Sequence, residues 1–259
     1  MPHTVNQCPT TIDLNCDLGE DPGAIISGRD VALAEQVSSL NIACGGHAGD
    51  DATMEAMVDA AVRLGRAIGA HPGYPDRVSF GRIELPMSAA EVRETVSAQV
   101  ALLARFAEAA GARVAHLKPH GALYHAAMRR PEVAAAIAEA VRPFAPIRLV
   151  GLANGAGLDV WESMGFAVLA EAFADRRYGP QGSLLPRTDP RALIEDPAIA
   201  AAQALRIARG EGVVAADGSR LAIAAGTICL HSDTPGALAA AMAVRAALLG
   251  SGIGCVAPA

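Results

Sequence analysis

Residues 113–125 read RVAHLKPHGALYH. The run Val114–Leu117 is apolar and β-prone, and beyond its start His116, Lys118 and His120 lie two apart. On a strand, alternate side chains share one face, so two imidazoles and an ammonium point the same way. Such a face is no ordinary core, because buried polar and charged groups cost free energy unless partnered. Pro119 lacks an amide hydrogen and ends the strand, and Gly121 lets the chain turn. The stretch reads as a strand whose C-terminal end faces a ligand.

Working outward, other segments end the same way. Residues 11–16, TIDLNC, form a first strand running into Asp17, Gly19 and Glu20, with Asp13, Asn15 and Asp17 on one face. A second strand, 40–44, ends in Gly45-Gly46-His47, and Asp51 is expected to cap the helix that follows. A third, 66–70, ends in His71-Pro72-Gly73 before a loop over 74–86 that carries Asp76, Phe80, Gly81 and Arg82. Ser88 and Glu91 make a capping box for a helix stopped by Gly111. After the central strand, 121–142 is helical with a break near Pro131. The fifth strand is 147–152, followed by a short helix at 157–164. The sixth is 166–170, ending in Glu171, Asp175, Arg176 and Arg177. A loop spans 179–188, and Asp189-Pro190 and Asp196-Pro197 each signal a helix start. Residues 213–223 suggest a hairpin turning at Asp217-Gly218. The seventh strand, 227–230, ends in His231-Ser232-Asp233, and Thr234-Pro235 starts the last helix.

This strand-then-helix alternation, repeated about seven times, calls for a parallel sheet. With 259 residues and no linker-like stretch, one (β/α)-barrel domain over 1–259 fits best, with an open doubly wound sheet as the alternative. The chain is 52% hydrophobic but only 3% aromatic, as expected of alanine-rich helices around a Val/Ile/Leu sheet. A formal charge of −6 argues against nucleic acid or an anionic membrane as partner. No apolar run approaches membrane-spanning length, and the N-terminus lacks a signal-peptide pattern. Five scattered cysteines without a C-x-x-C pair suit reduced, cytoplasmic thiols.

In a barrel, all strand ends lie on one rim, where active sites form. That rim collects Asp17, Glu20, His47, His71, Lys118, His120, Glu171, Asp175, His231 and Asp233. Any one histidine there could simply bond a carbonyl. His116 lies earlier in its strand and suits a structural hydrogen bond, and Asp13 suits a buried acceptor. His125 suits a helix, His3 a mobile terminus, Arg177 a solvated loop, and Cys16 and Cys44 the core. Two chemistries could use the rim. One is a divalent metal held by Asp and His that generates hydroxide. The other is metal-free acid–base catalysis in which Lys118 or Arg176 holds a carboxylate or phosphate. No helix carries a zinc motif and no P-loop is present, although the glycine-rich turn 44–49 could cradle an anion.

Taken together, DLNCDLGE, NIACGGHAGD, GAHPGYPD with FGR, KPHGALYH, EAFADRRY, GSLLPR and HSDTPGA closely resemble the LamB/YcsF family, over about residues 12–253. The resemblance implies a distorted seven-stranded (β/α) barrel similar to metal-dependent deacetylases and certain glycosidases. It implies the A subunit of an ATP-dependent 5-oxoprolinase, converting 5-oxo-L-proline to L-glutamate with ATP and with partner subunits B and C. Asp17, Glu20, His71, Lys118, His120, Glu171, Asp175, His231 and Asp233 then become catalytic candidates. Asn15, Gly45, Gly46, Arg82 and Arg176 become substrate-binding candidates. In these roles Lys118 and Arg176 hold anions, Asp17 or Glu171 is the base, and His120 or His231 is the acid or oxyanion donor. Likeness to the deacetylases implies a metal triad of Asp17, His47 and His120.

The chain departs from the family pattern at four places. Gly46 stands where the family has Phe, which implies a missing pocket wall. Ile83 replaces a second Arg after Arg82, Ser232 replaces Gly, and the segment after Glu20 differs. These departures bear on substrate identity more than on fold. A stand-alone metal-dependent amide or sugar hydrolase, and a non-catalytic binding protein that hands substrate to partners, are the alternative functions.

Overall fold

A computed structural model of the chain describes residues 10–258; His3 and Cys8 lie outside them. Seven parallel strands close into a barrel: β1 (Thr11–Leu18), β2 (Ser39–Ala43), β3 (Ala67–His71), β4 (Val114–Leu117), β5 (Arg148–Leu152), β6 (Val168–Phe173) and β9 (Thr227–His231). Each pairs with the next in this order, and β9 pairs back onto β1 with His231 beside Asp17. The closed barrel removes the open-sheet alternative. The small antiparallel pair β7 (Val213–Val214) and β8 (Arg220–Leu221) is the expected hairpin. A short β10 (Gly254–Cys255), not foreseen, extends the lower end of β1.

The outer face of β1 (Ile12, Leu14, Cys16 and Leu18) is buried beneath helices. Its inner face carries Asp13, Asn15 and Asp17, also buried. The lumen is therefore polar, and every group in it needs a partner. Asp13 accepts from the hydroxyls of Ser38 (2.7 Å), Ser39 (2.6 Å) and Thr227 (2.6 Å). Asn41 donates to Asn15 and Asp17, both at 2.7 Å, and accepts from His116 Nε2 at 2.8 Å. This bonding explains why the strands alternate instead of reading as the continuous apolar runs usual in parallel sheets. Asp13 and His116 are the buried structural groups expected.

The principal helices wrap the barrel: α3 (Asp51–Leu64), α4 (Ala89–Ala109), α5 (Gly121–Arg129), α6 (Pro131–Val141), α7 (Ala156–Ser163), α8 (Pro197–Ala208) and α9 (Ala237–Gly250). Two short ones, α1 (Pro22–Ile26) and α2 (Arg29–Ala34), follow β1 and were not foreseen. The cap of α3 is Asp50, not Asp51, in a reciprocal box with Thr53. Ser88 and Glu91 make the expected box on α4. Asp196-Pro197 opens α8, but Asp189-Pro190 opens no helix. The Asp189 carboxylate is instead taken by the backbone and guanidinium of Arg191. The last helix starts at Ala237, after Gly236 in the left-handed region, rather than at Pro235. Strand β6 runs on to Phe173, so Glu171 lies within it and not beyond its end. Among the described residues no helix is long and apolar enough to cross a membrane, and Cys16, Cys44, Cys229 and Cys255 are free thiols.

Candidate active site

At the C-terminal rim a cavity of about 600 Å³ opens between the barrel and the two long loops. Seven of the expected residues line it: Asp17, His71, Arg82, Lys118, His120, Arg176 and His231. Glu171 and Asp175 are buried behind that lining and act on it through Lys118 and His231.

Lys118 leaves β4 into the barrel and is 2% exposed. Its Nζ lies 2.9 Å from Asp17 Oδ1 and 2.9 Å from Glu171 Oε1, and donates to Cys229 Sγ at 2.9 Å. Burial alone would lower the ammonium's pKa, but the charges of Asp17 and Glu171, with the hydrogen bond to Cys229, outweigh it and hold it well above the ordinary lysine value. Burial would likewise raise Asp17, yet the charges of His71 and Lys118 hold its carboxyl well below the usual range. Glu171 also accepts from Asn15 Nδ2 (3.1 Å) and the Tyr124 hydroxyl (2.8 Å). Asn15 is thus a support for this carboxylate and does not line the cavity.

On the adjoining strand end, Asp175 accepts from the backbone N–H of His231 (2.8 Å) and the Thr234 hydroxyl (3.0 Å), and it takes His231 Nδ1 at 3.0 Å. Burial would raise the Asp175 carboxyl; the His231 charge and these bonds lower it. The carboxylate makes Nδ1 the donor nitrogen, so in the neutral ring Nε2, 4.0 Å from Asp17 Oδ2, is the acceptor. This carboxylate–imidazole pair is the geometry that orients a general base.

A second group sits beside Asp17. Glu20 Oε1 lies 3.1 Å from His47 Nε2, 3.8 Å from His71 Nε2 and 3.3 Å from His120 Nδ1, and the last two nitrogens are 3.0 Å apart. His71 Nδ1 donates to the Lys118 carbonyl at 2.7 Å, and His120 Nε2 donates to the Phe80 carbonyl at 2.9 Å. Carbonyls only accept, so both tautomers are set and two lone pairs face each other. Phe80 holds its carbonyl there from the left-handed region, φ 54°, a costly conformation for a bulky residue. Burial lowers His47 to about 3, against its bond to Glu20, and burial also lowers His120. Burial would lower His71 too, but the Asp17 charge raises it. Hydrogen bonds from His120 and His47 overcome burial and hold Glu20 far down the acid side. Facing lone pairs beside an ionised carboxylate call for either a proton on His71 or a cation. Ligand atoms around a tetrahedral divalent ion lie roughly 3.3 Å apart, and three imidazoles with one carboxylate are ordinary donors for one. The donor set fits. The triad expected from likeness to the deacetylases is regrouped: His47 and His120 join Glu20 and His71, while Asp17 belongs with Lys118.

Two expectations, at Gly46 and Ile83, are corrected. Gly46 is no part of a pocket wall: a Cβ there would lie 2.3 Å from Gln99 Oε1, and Gln99 is bonded to both Gly73 N and O. Gln99 already occupies the space that the absent Phe side chain would take. In the turn at Gly45 one N–H, that of Gly45, goes to the Ala48 carbonyl, and the carbonyls of Gly45 and Gly49 accept from Arg77. Ile83 is 59% exposed and outside the cavity lining. Asp233 stands at the rim, where Arg82 (2.5 Å) and Arg187 (3.0 Å) both hold it. Sequence reasoning missed Tyr124, Phe173, Arg187 and Cys229. Tyr124 was within reach, since it lies one helical turn beyond His120 in the central stretch.

Comparison with known proteins agrees with this architecture. The LamB/YcsF family model matches residues 12–259. The A subunit of a 5-oxoprolinase from Chloroflexus aggregans is 51% identical over 94% of this chain and 97% of its own length. Its counterpart from Methylococcus capsulatus is 49% identical over 94% of each. Among solved structures, a lactam utilization protein from Thermus thermophilus superposes with TM-score 0.88 at 42% identity, over 96% of this chain and all (100%) of its own.

Proposed function

This chain belongs to the LamB/YcsF family, and from that premise we propose that it is the A subunit of an ATP-dependent 5-oxoprolinase. It opens the lactam of 5-oxo-L-proline to L-glutamate together with subunits B and C. The observation that carries the reading is near full-length identity of 43–51% to proteins named as 5-oxoprolinase A subunits. The cavity chemistry supports it. A lactam is a poor electrophile. Transfer of the ATP γ-phosphoryl group to its oxygen, with release of ADP, activates the carbonyl carbon. Water then adds to that carbon, the C–N bond breaks to free the amine, and a second water releases phosphate and leaves glutamate.

In this reading His231 is the base. Its Nδ1 is anchored by Asp175, so Nε2 can take a proton from the attacking water and return it to the ring nitrogen. Asp17 is a poor base, because its carboxyl is held so far down. Its part, with Glu171, is to fix Lys118 at the floor. Glu20, His47, His71 and His120 would hold a divalent cation, which when bound supplies Lewis-acid polarisation and a more acidic water. Glutamate release from 5-oxoproline is the test, with the chain and its candidate partner subunits, with and without ATP. ATP-dependent glutamate that disappears when this chain is omitted is the expected result. None under any condition, with the complex shown to assemble, removes the reading.

The histidine group favours one second reading, a stand-alone metal-dependent amide hydrolase on the same barrel. It predicts stoichiometric metal in the purified chain and hydrolysis without ATP or partners, abolished by a chelator.

A further inference from the structure

Among the described residues, one of the cations lining the cavity has no carboxylate in ion-pair contact. Lys118 has Asp17 and Glu171. Arg82 and Arg187 share Asp233, and Arg129 pairs with Glu84. Arg176 is only 5% exposed, yet among the described residues its guanidinium makes a single hydrogen bond, Nη2 to the Leu185 carbonyl at 2.7 Å. Its Nε is buried without a partner. A buried charge without a partner is costly, and it persists where a ligand completes it. Arg187, on the same lining, adds a second positive charge to this side, held at the rim by Asp233.

We propose that Arg176 is the oxyanion-reading residue of the cavity, holding the anionic end of a small ligand whose other end reaches the floor at Lys118 and His231. The planar guanidinium fork matches a carboxylate or a phosphoryl group in two-point contact. Lys118, saturated by two carboxylates and a thiol, is excluded from that role. The identity of the ligand rests on the lactam reading above. Under it the oxyanion is the ring carboxylate of the substrate. The cavity thereby selects cyclic amides that carry an anion over those that do not.

Calorimetric titration of the full chain with 5-oxo-L-proline, 2-pyrrolidinone and inorganic phosphate tests this, in the wild type and in Arg176→Gln. Charge-assisted bonds of this kind are worth about 10- to 100-fold in affinity. The expected result is that wild type prefers 5-oxoproline to pyrrolidinone by that factor and that Arg176→Gln erases the preference. Phosphate binding lost in Arg176→Gln, with neither lactam bound by the wild type, supports the anion site while removing the lactam reading. Preference for 5-oxoproline retained in Arg176→Gln overturns the site and leaves the lactam reading standing. No binding of any probe to the wild type also overturns the site. Should the variant fail to fold, the wild-type Arg176 Nε–H resonance decides: it shifts with 5-oxoproline or phosphate and not with pyrrolidinone, and a resonance indifferent to both anions overturns the proposal.

Discussion

Replacing Lys118 with Met keeps roughly the length of the side chain and removes the charge. Asp17 and Glu171, each 2.9 Å from the ammonium, are then left buried without it. Breaking a buried ion pair by removing one partner costs about 3–5 kcal/mol. For a chain of this size each kcal/mol lowers the melting temperature by about 2–4 °C, so Lys118→Met is expected to melt roughly 6–20 °C lower at pH 7. The pH dependence gives a second reading of the same physics. Asp17 is depressed in the fold, so its contribution is present above the ordinary carboxylate range and lost as pH falls through its folded value. Lys118 is raised, so its contribution is present below the ordinary lysine range and lost only in strong alkali. Between about pH 5 and 9 the deficit of the variant should be flat. Below that range it should narrow, because Asp17, now without one of the charges that opposed burial, can take up a proton. Calorimetric melting across pH is the assay, and the double variant Lys118→Met with Glu171→Gln should be less unstable than the sum of the single changes. A Lys118→Met protein that melts within about 2 °C of wild type at pH 7 would refute the view that this ammonium is a partnered, buried charge.

Gly46→Ala should cost about 1–3 kcal/mol in urea denaturation, from collision with Gln99, and Gln99→Ala should restore most of it; equal losses with and without Gln99 would count against that packing. His116 is held neutral by burial, with its pKa lowered to about 3, so the unfolded chain binds more protons between about pH 3 and 6.5 and stability rises with pH there. His116→Gln should lessen that slope by up to about 1.4 kcal/mol per pH unit, and an unchanged slope would show that His116 titrates alike in both states. Asp175→Asn removes the carboxylate that orients His231 and should lower kcat by about 100-fold with little change in KM. A loss confined to KM would instead assign Asp175 to substrate binding.

The barrel was legible because its lumen is polar. Asp13, Asn15 and Asp17 alternate with Ile12, Leu14 and Cys16, and His116 and Lys118 repeat the pattern on β4, so strand direction and facing could be read residue by residue. The site was legible as a set of strand-end groups but not as partnerships. Nothing in the spacing of Glu20 says that it meets three histidines from other segments rather than joining Asp17. Asp189-Pro190 carries the same local signal as Asp196-Pro197; what separates them is Arg191, whose guanidinium takes the carboxylate that would have capped a helix. Gly46 misled for a related reason. A glycine in place of a large residue reads as empty space, whereas here a glutamine from α4 fills it.

Asp17 explains why the two halves of the site resist separate treatment. One oxygen takes Lys118 and Asn41; the other lies 3.3 Å from His71 Nε2 and 4.0 Å from His231 Nε2. The carboxylate that helps neutralise the floor lysine therefore also raises His71 and faces the histidine anchored by Asp175. Removing it would disturb the lysine, the four-residue histidine group and the base at once, so an inactive Asp17 variant would identify none of them. Lys118, Glu20 and Asp175 each act on one branch of this arrangement. They are the positions at which loss of stability, of cation binding and of turnover can be told apart.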